Sequence, residues 1–494
     1  MKKRAVACAA LAAVLVFFSS CVSTNKTDAA DIQASSEKSS KKQKAKPVKK
    51  SKFDQDAFDE AYANGDYAVC AGMLLGKGDK KNLVKNSLDA DMLVYFTQNY
   101  TTAGKSFLDT YAMMQQTVSE MTAGKGLAAS LGGENSIKYY GAEYERYLAW
   151  SMRLASALAA KENDVANGIM KDYVGTFMDE IQALRAQNEE IARGSEEKLD
   201  SDEFKRAAES LESAGLDLGV SGMVNAKPAA ASAKYESSPF FNYLGTLAYA
   251  ANKDFDHAQE FAALYNVDKS LVNDAVKVPA GKGRLEVVAF SGTIGRRSDA
   301  SEGKTPSSFS LPISGVGIVT FHTKVAYPVF KEQKHAIDSV RVTLSNGESK
   351  KAVLVEDFDE AVKIDVAQKA RGAYSRSVFR NVVKNSAAAA SVIAAGIAVR
   401  QASDNAIAST LAQIVFSQAV AAASEAIVNL ERADVRQGVY FPNKASAAGF
   451  SVDPGIYAVT LEYMSGPNVV EKKTIEKVVV EGGKVNVEVS LCEK

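Results

Sequence analysis

Side chains that commonly carry acid–base or metal chemistry are sparse in this 494-residue sequence. Histidine, whose pKa lies nearest neutrality, occurs only as His257, His322 and His335. Their positions have no metal-ligand spacing, and no nucleophile elbow, His-Glu-x-x-His or Cys-x-x-Cys motif occurs. The sequence therefore predicts no catalytic residue, no bound metal and no cofactor, and we expect the protein not to be an enzyme.

Two other motifs resemble ligand sites but have simpler explanations. Gly104-Lys105-Ser106 resembles the end of a phosphate-binding loop, but Asn99 replaces the first glycine and the surrounding pattern is helical. The acidic cluster within 356–360 lacks the alternating oxygen spacing of a calcium loop. We expect these carboxylates to occupy the first turn of a helix, where the helix dipole favours negative charge.

Cys21 has the sequence context of a lipid attachment site. Basic residues at 2–4 precede an apolar run over 5–18, which has the length of a signal peptide and is too short to span a membrane. Phe18-Ser19-Ser20-Cys21 then resembles the lipobox of bacterial lipoproteins. The resemblance implies a signal peptide over 1–20 and a membrane anchor of diacylglycerol and palmitate on Cys21. The alternative is an ordinary secretory signal with an accidental cysteine.

Residues 21–52 are predicted to be an unfolded tether behind the anchor. Eight lysines lie between Lys38 and Lys52, and no apolar pattern accompanies them. A segment of this composition cannot bury enough apolar surface to fold, and its charge would attract anionic headgroups. A solvated spacer is an equally strong alternative, and peptidoglycan is a further candidate contact.

Charge and cysteine content limit what the remaining chain can do. The whole sequence has 59 basic and 59 acidic side chains, and 12 of the former and 3 of the latter precede residue 53. Residues 53–494 therefore carry 47 against 56, a net charge of −9, which argues against nucleic-acid binding. Cys70 and Cys492 lie at opposite ends of this body, so we favour two free thiols over a disulfide.

The segment 53–278 is predicted to be helical, because proline is nearly absent and apolar residues recur at three- and four-residue spacing. Residues 57–70 and 242–261 each place a small-residue helix, a polar turn, an aromatic residue and a second helix in succession, and 142–168 follows in part. This resembles the 34-residue tetratricopeptide repeat. Irregular spacing indicates a degenerate array, and a plain helical bundle is the alternative.

Strands are predicted from residue 279 to residue 357, where alternating or β-branched segments are separated by turns such as Asn346-Gly347. A second β-rich segment, 433–494, has the turn–strand–turn–strand pattern of a small antiparallel sandwich. Between them, 358–432 is predicted to be alanine-rich helix.

Two uncharged runs in this helical segment, 386–399 and 406–423, raise the question of membrane insertion. Each is shorter than a span, and alanine contributes little to insertion. We therefore favour a buried helical hairpin inserted between the β segments.

Several short segments together resemble one protein family. They are Tyr140-Gly141-Ala142-Glu143-Tyr144-Glu145, Leu354-Val355-Glu356-Asp357-Phe358, Ala433-Asp434-Val435-Arg436, Tyr440-Phe441-Pro442 and Pro454-Gly455-Ile456-Tyr457. Their order is similar to that in an uncharacterised family of tetratricopeptide-like bacterial lipoproteins, whose members are often encoded near lipoprotein activators of penicillin-binding proteins. Gly438 departs from the pattern, in which an aromatic or polar residue is expected. The resemblance implies an architecture and an envelope location, and no catalytic residue.

These expectations combine into an α+β multidomain protein held by lipid at the periplasmic face of the outer membrane. We expect an interaction scaffold or adaptor in cell-envelope assembly, whose helical array offers a concave face to an envelope protein. The alternative is an envelope hydrolase or ligand-binding protein with its site between the β region and the helices. A deep polar pocket with perturbed carboxylates would favour the alternative, and a wide groove would favour the scaffold.

Overall fold

The computed structural model describes residues 53–120, 132–313, 317–402, 422 and 425–493. The predicted lipidation site Cys21, the tether and the second alanine-rich run, 406–423, apart from residue 422, lie outside the described residues. The described chain is a mixture of helix and strand, with N-terminal helices followed by sheets, as predicted. Within these ranges, no helix combines the length and the apolar composition needed to cross a bilayer.

Helices form the first half of the described chain. They are α1 (Gln55–Ala63), α2 (Tyr67–Gly76), α3 (Leu83–Phe96), α4 (Tyr100–Ser119), α5 (Glu143–Ala159), α6 (Asn163–Asp172), α7 (Met178–Glu197), α8 (Asp202–Ser213), α9 (Val220–Asn225), α10 (Pro239–Ala251), α11 (Phe255–Leu264) and α12 (Lys269–Val272). A π-helical turn, Tyr173–Phe177, joins α6 to α7.

One tight turn recurs in four pairs of consecutive helices, α1/α2, α3/α4, α5/α6 and α10/α11. Its middle residue is left-handed in each pair, at Gly65, Gln98, Lys161 and Lys253, with φ between 59° and 78°. Such a residue ends one helix and lets the next begin at once, antiparallel to the first. The α3/α4 pair was not predicted, because its turn lacks the Asn-x-Asp pattern of α1/α2 and α10/α11.

The helix pairs stack on one another. Helices α2 to α6 each contact the next in chain order, and α10 packs on α5 and α6, so α10/α11 continues the stack. Small residues let α10 approach its neighbours closely: Ala248 is fully buried, and a Cβ atom on Gly245 would lie 2.7 Å from Phe261 Cε1. Helices α7 and α8 are not part of the stack and pack against the long helix Phe358–Ala402.

Two four-stranded sheets contain most of the β structure. The strands are β1 (Gly283–Ser291), β2 (Arg296–Asp299), β3 (Ser307–Ile313), β4 (Gly317–Thr323), β5 (Pro328–Lys331), β6 (Ser339–Leu344), β7 (Ser349–Lys351), β8 (Val353–Asp357), β9 (Lys444–Val452), β10 (Gly455–Ser465), β11 (Asn468–Val480) and β12 (Val485–Cys492). The sheet orders are β12-β1-β9-β8 and β11-β10-β6-β7, and β2/β5 and β3/β4 form separate pairs.

Each four-stranded sheet combines strands from both predicted β segments, 279–357 and 433–494. Strand β1 pairs with β9 and, in parallel, with β12, and β6 pairs with β10. One apolar core joins residues from both sheets, among them Leu285, Val342 and Phe450. The two segments are therefore interleaved, a relation that strand patterns cannot reveal because they do not specify pairing partners.

The other face of the β12-β1-β9-β8 sheet packs on the helix stack. The Phe290 ring of β1 contacts the rings of Tyr95 and Phe240, at centroid distances of 6.2 and 5.3 Å. Tyr243 of α10 donates a 2.8 Å hydrogen bond to Glu286 of the same strand. The face of the stack that α3 and α10 contribute is thus covered by the chain's own sheet.

A 45-residue helix, α13 (Phe358–Ala402), lies in the sequence between the neighbouring strands β8 and β9. It packs against α7 and α8. Ala388 and Ala389 of the first alanine-rich run are buried in a cluster with Phe204 and Phe321, as the buried-hairpin interpretation predicts for this run.

A polar stripe on α13 fixes the chain that follows β4. Ser377 accepts a hydrogen bond from the Ala326 amide, and Asn381 bonds both backbone groups of Lys324. Because Ser377 and Asn381 are four residues apart, they lie on one helix face and act together.

Candidate functional site

A cavity of about 360 Å³ lies between α5, α7, α13, the β2/β5 pair and the irregular segment 226–238. Its walls carry equal numbers of acidic and basic side chains. They are Glu134, Glu143, Glu189, Glu196, Asp365 and Asp434, and Arg185, Lys234, Arg297, Lys369, Arg371 and Arg376.

The segment 226–238, which we call the strap, forms one wall of this cavity. Ala233 and Lys234 line the cavity and are also exposed. Arg185 of α7 donates a 2.5 Å hydrogen bond to the Tyr235 carbonyl, and Gln368 of α13 donates one of 3.3 Å to the Ala233 carbonyl. The strap is therefore held by side chains of the cavity wall.

Glu356, at the end of β8, anchors the C-terminal end of the strap. It accepts hydrogen bonds from the Tyr235 hydroxyl at 2.6 Å, the Ser238 hydroxyl at 2.5 Å and the Phe240 amide at 2.9 Å. Burial raises the pKa of Glu356 to about 7, although these donors favour the charged form. The strap and the first turn of α10 thus share one buried carboxylate.

Beneath the strap, Arg185 pairs with Glu143 at the start of α5. Arg185 Nε lies 2.8 Å from Glu143 Oε1, and both side chains are mostly buried. Burial raises the pKa of Glu143, and Arg185 opposes that effect. This pair connects two helices and the strap through one guanidinium group.

A buried network on α13 forms another wall. Arg376 makes two 2.8 Å hydrogen bonds to the Glu134 carboxylate, and Arg380 lies 3.1 Å from the same group. Arg380 also pairs with Glu431 and is 1% exposed. Burial would raise the pKa of Glu134, but the two arginines hold it below its usual value. The network fixes two distant segments, at 134 and 431, to one helix.

Asp365 completes the charged lining between Arg297 and Lys369, with N–O distances of 2.5 and 2.8 Å. Burial opposes ionisation of Asp365, but the two cations lower its pKa. Each charged lining residue has an opposite partner in this way. Among the lining residues, this pairing leaves no isolated carboxylate or cation, and it suits ligand binding better than proton transfer.

The three histidines lie away from the cavity lining. His257 is exposed and its Nδ1 lies 2.8 Å from Asp254, and half-buried His322 has its Nδ1 2.9 Å from the Ser308 hydroxyl. His335 Nε2 lies 3.9 Å from Asp359, and burial lowers its pKa. Within the described ranges, no group of three His, Cys, Asp or Glu residues is placed to hold a metal ion.

The two motifs that resemble ligand sites have structural roles. Gly104-Lys105-Ser106 lies inside α4, and Ser106 donates a hydrogen bond to buried Asp91. The acidic cluster diverges: Glu356 points to α10, and Asp359, in the first turn of α13, accepts a bond from the Gly295 amide. The helix-start interpretation therefore holds for Asp359 and not for Glu356.

Cys70 and Cys492 are both buried and form no disulfide with each other, as favoured from the sequence. They lie in different apolar clusters, one with Phe58 and Leu74 and the other between the sheets.

Gly438, the departure from the family pattern, has a steric explanation in this chain. A Cβ atom there would lie 2.7 Å from Phe441 Cε2, and the Gly438 amide donates a 2.6 Å hydrogen bond to buried Glu145. An aromatic residue does not fit at this position.

Sequence reasoning missed the strap and the buried arginines. The sequence did offer one signal for the arginines. Arg376 and Arg380 are four residues apart in a predicted helix, so they lie on one face of it. Their partners Glu134 and Glu431 could not be inferred, because each is distant in sequence and follows no motif.

Comparisons with known proteins identify no relative. No family model matches the sequence, and neither curated proteins nor solved structures give a significant match. The cavity and its charged walls therefore carry the functional inference.

Proposed function

We propose that this protein is a lipid-anchored protein of the bacterial cell envelope that binds a small zwitterionic ligand, such as a short peptide, in the cavity that the strap lines. The ion pair of Arg185 and Glu143 beneath the strap carries the ligand proposal. A ligand carboxylate could replace Glu143 at Arg185, while a ligand amine takes Glu143, so no charge is left unpaired. The volume of about 360 Å³ suits a short peptide.

The envelope location rests on the sequence around Cys21 and on the family resemblance. We also interpret the stacked helix pairs as a degenerate tetratricopeptide-like array, and the two sheets as a β-sandwich. The recurrent left-handed turn at Gly65, Gln98, Lys161 and Lys253 supports the first interpretation. The shared core between the sheets supports the second.

The scaffold function remains a second candidate, with a different surface from the one first expected. A concave face would require an open array, whereas the β12-β1-β9-β8 sheet covers α3 and α10. Val174 and Leu264 are 62% and 72% exposed, beside the neighbouring rings of Tyr173 and Tyr265. An unknown envelope protein could dock there, and crosslinking of the anchored protein followed by pull-down tests this candidate.

Calorimetry of the full chain, purified in neutral detergent, tests the ligand proposal. We expect trialanine to bind, and its N-acetylated and C-amidated forms to bind at least about tenfold more weakly. The physical reason is that each blocked form loses a charge-assisted hydrogen bond, which contributes roughly 1.5–3 kcal/mol. Equal binding of all three peptides would exclude recognition of both charges.

A matched pair of variants on α7 locates the site. Arg185→Gln removes the partner for the ligand carboxylate and should abolish discrimination against the amidated peptide. Arg193→Gln removes the same charge from an exposed side chain, which lies 3.8 Å from Glu197, and should leave binding unchanged. If the two variants bind trialanine alike, the cavity is not the site.

Cys21→Ala tests the anchor separately. The substitution removes the thiol that would be acylated, so labelling with a radioactive fatty acid should disappear and the protein should leave the membrane fraction. Unchanged labelling would contradict the lipoprotein proposal while leaving the ligand proposal standing.

A further inference from the structure

A second, open cavity of about 840 Å³ has excess positive charge. We call it the basic cleft and define it by five lining cations: Lys81, Arg296, Lys324, Lys331 and Arg432. Among the residues that the structure describes, none of the five forms a salt bridge with a carboxylate. Arg296 is also partly buried: burial lowers its pKa, buried Asp89 opposes that effect, and its Nη1 donates to the Val439 carbonyl.

The three carboxylates that line the basic cleft, Asp79, Asp299 and Glu302, accept hydrogen bonds from neutral donors, and Glu302 accepts from the Ser298 hydroxyl at 2.5 Å. Asp79 accepts from the Lys81 amide and the Asn82 side chain, at 3.0 and 2.7 Å. Asp299 accepts from the amides of Ser301 and Ala433, both at 2.9 Å. These acids satisfy neutral donors, so the cations of the cleft remain available to an added anion.

Arg297 and Arg436 line the same cleft but are already paired, with Asp365 and Asp434. Arg297 Nε is nevertheless buried and has no hydrogen-bond acceptor among the described residues. A buried guanidinium nitrogen without an acceptor is costly unless an added group accepts from it.

The basic cleft contrasts in charge with the rest of the body. Residues 53–494 carry a net charge of −9, so local positive charge is not an average property of the surface.

We propose that the basic cleft binds a phosphate group, supplied by an anionic membrane lipid or by a soluble phosphorylated molecule. Arginine presents a planar donor fork that fits phosphate oxygens, and lysine adds charge without fixed geometry. A phosphate group carries up to two negative charges, so it can contact several cations of the cleft at once. A carboxylate carries only one charge. This proposal does not rest on the peptide ligand of the central cavity.

Calorimetric titration of the detergent-solubilised full chain with inorganic phosphate, at constant ionic strength, tests the site. Lys331→Gln combined with Arg432→Gln removes two exposed charges of the cleft, and we expect phosphate affinity to fall at least tenfold, because each loses a charge-assisted contact. Lys171→Gln combined with Lys205→Gln removes the same charge from exposed positions on α6 and α8 and should bind phosphate like wild type.

Vesicles then distinguish the two sources of phosphate. Both double variants retain the same N-terminus and tether, so a difference between them reports the cleft alone. Weaker binding of the cleft variant to phosphatidylglycerol-containing vesicles, but not to pure phosphatidylcholine, assigns a lipid headgroup. Phosphate binding without a vesicle difference assigns a soluble phosphorylated ligand. Equal phosphate binding by the two double variants overturns the proposal.

Discussion

The central cavity and the basic cleft share Arg297 in their linings but differ in how their charges are partnered. In the cavity, charges such as Arg185 and Asp365 have opposite partners within 2.5–2.8 Å. In the basic cleft, none of the five cations that define it forms a salt bridge with a carboxylate among the described residues. Charges that are already paired hold the cavity side chains in place, so a ligand must bring both a positive and a negative group to replace the pairs. Cations without a paired carboxylate attract any anion over a distance.

The difference also predicts how well each site tolerates substitution. Removing one partner of a buried pair leaves an uncompensated charge, so the cavity walls should be sensitive to substitution. Removing an unpaired surface cation relieves repulsion, so the cleft should tolerate it. Stability measurements therefore test the comparison without knowledge of either ligand.

Arg380→Ala should have the largest effect. It leaves Glu431 and part of Glu134 without a cation inside the fold, which costs roughly 3–5 kcal/mol. Denaturant unfolding measures the loss. Arg371→Ala is the control on the same helix: its pair with Glu196 is one-third exposed and should contribute about 0–1 kcal/mol. Similar losses for both variants would mean that burial does not distinguish the pairs.

Glu356→Gln should change how stability depends on pH. Burial raises the pKa of Glu356 from 4.5 to about 7 in the folded state, so the folded protein binds more protons than the unfolded chain between these values. Stability from this group is therefore greatest at low pH and falls as pH rises, by on the order of 3 kcal/mol in total. The glutamine can still accept from the Phe240 amide.

Unfolding at about pH 5 and about pH 8 checks this prediction through the difference between wild type and variant. The wild-type advantage should shrink at the higher pH. Buried Asp91, whose pKa is also raised to about 7, is present in both proteins and cancels in the difference. A difference independent of pH would show that Glu356 titrates at its ordinary value.

The contrast between the two sites was not visible in the sequence, although most elements were. Strand β6 (Ser339–Leu344) lies within the segment 279–357 where strands were predicted, because a period of two depends only on neighbouring residues. Arg380 and Glu431 illustrate the opposite case: their pairing depends on the packing of segments 51 residues apart. The same holds for the strap, whose sequence carries no periodic signal at all.

Long-range pairing also explains why α3 and α10 present no open face here. The apolar faces of α3 and α10 indicate that something packs there, but not whether it is a partner or the chain itself. In the structure the chain itself packs there, because Phe290 of β1 contacts Tyr95 and Phe240. Composition predicts that a face is buried, and only the fold specifies by what.

The smallest expected effect has the opposite sign and tests the cleft directly. Lys331→Gln combined with Arg432→Gln should raise the free energy of unfolding by a few tenths of a kcal/mol at low salt, because exposed like charges repel weakly. Adding salt should abolish the gain, since screening already removes the repulsion in wild type. Adding phosphate should reverse it, because wild type then gains binding energy that the variant lacks. A loss of stability at low salt would mean that these cations have partners in the fold, and the comparison between the two sites would fail.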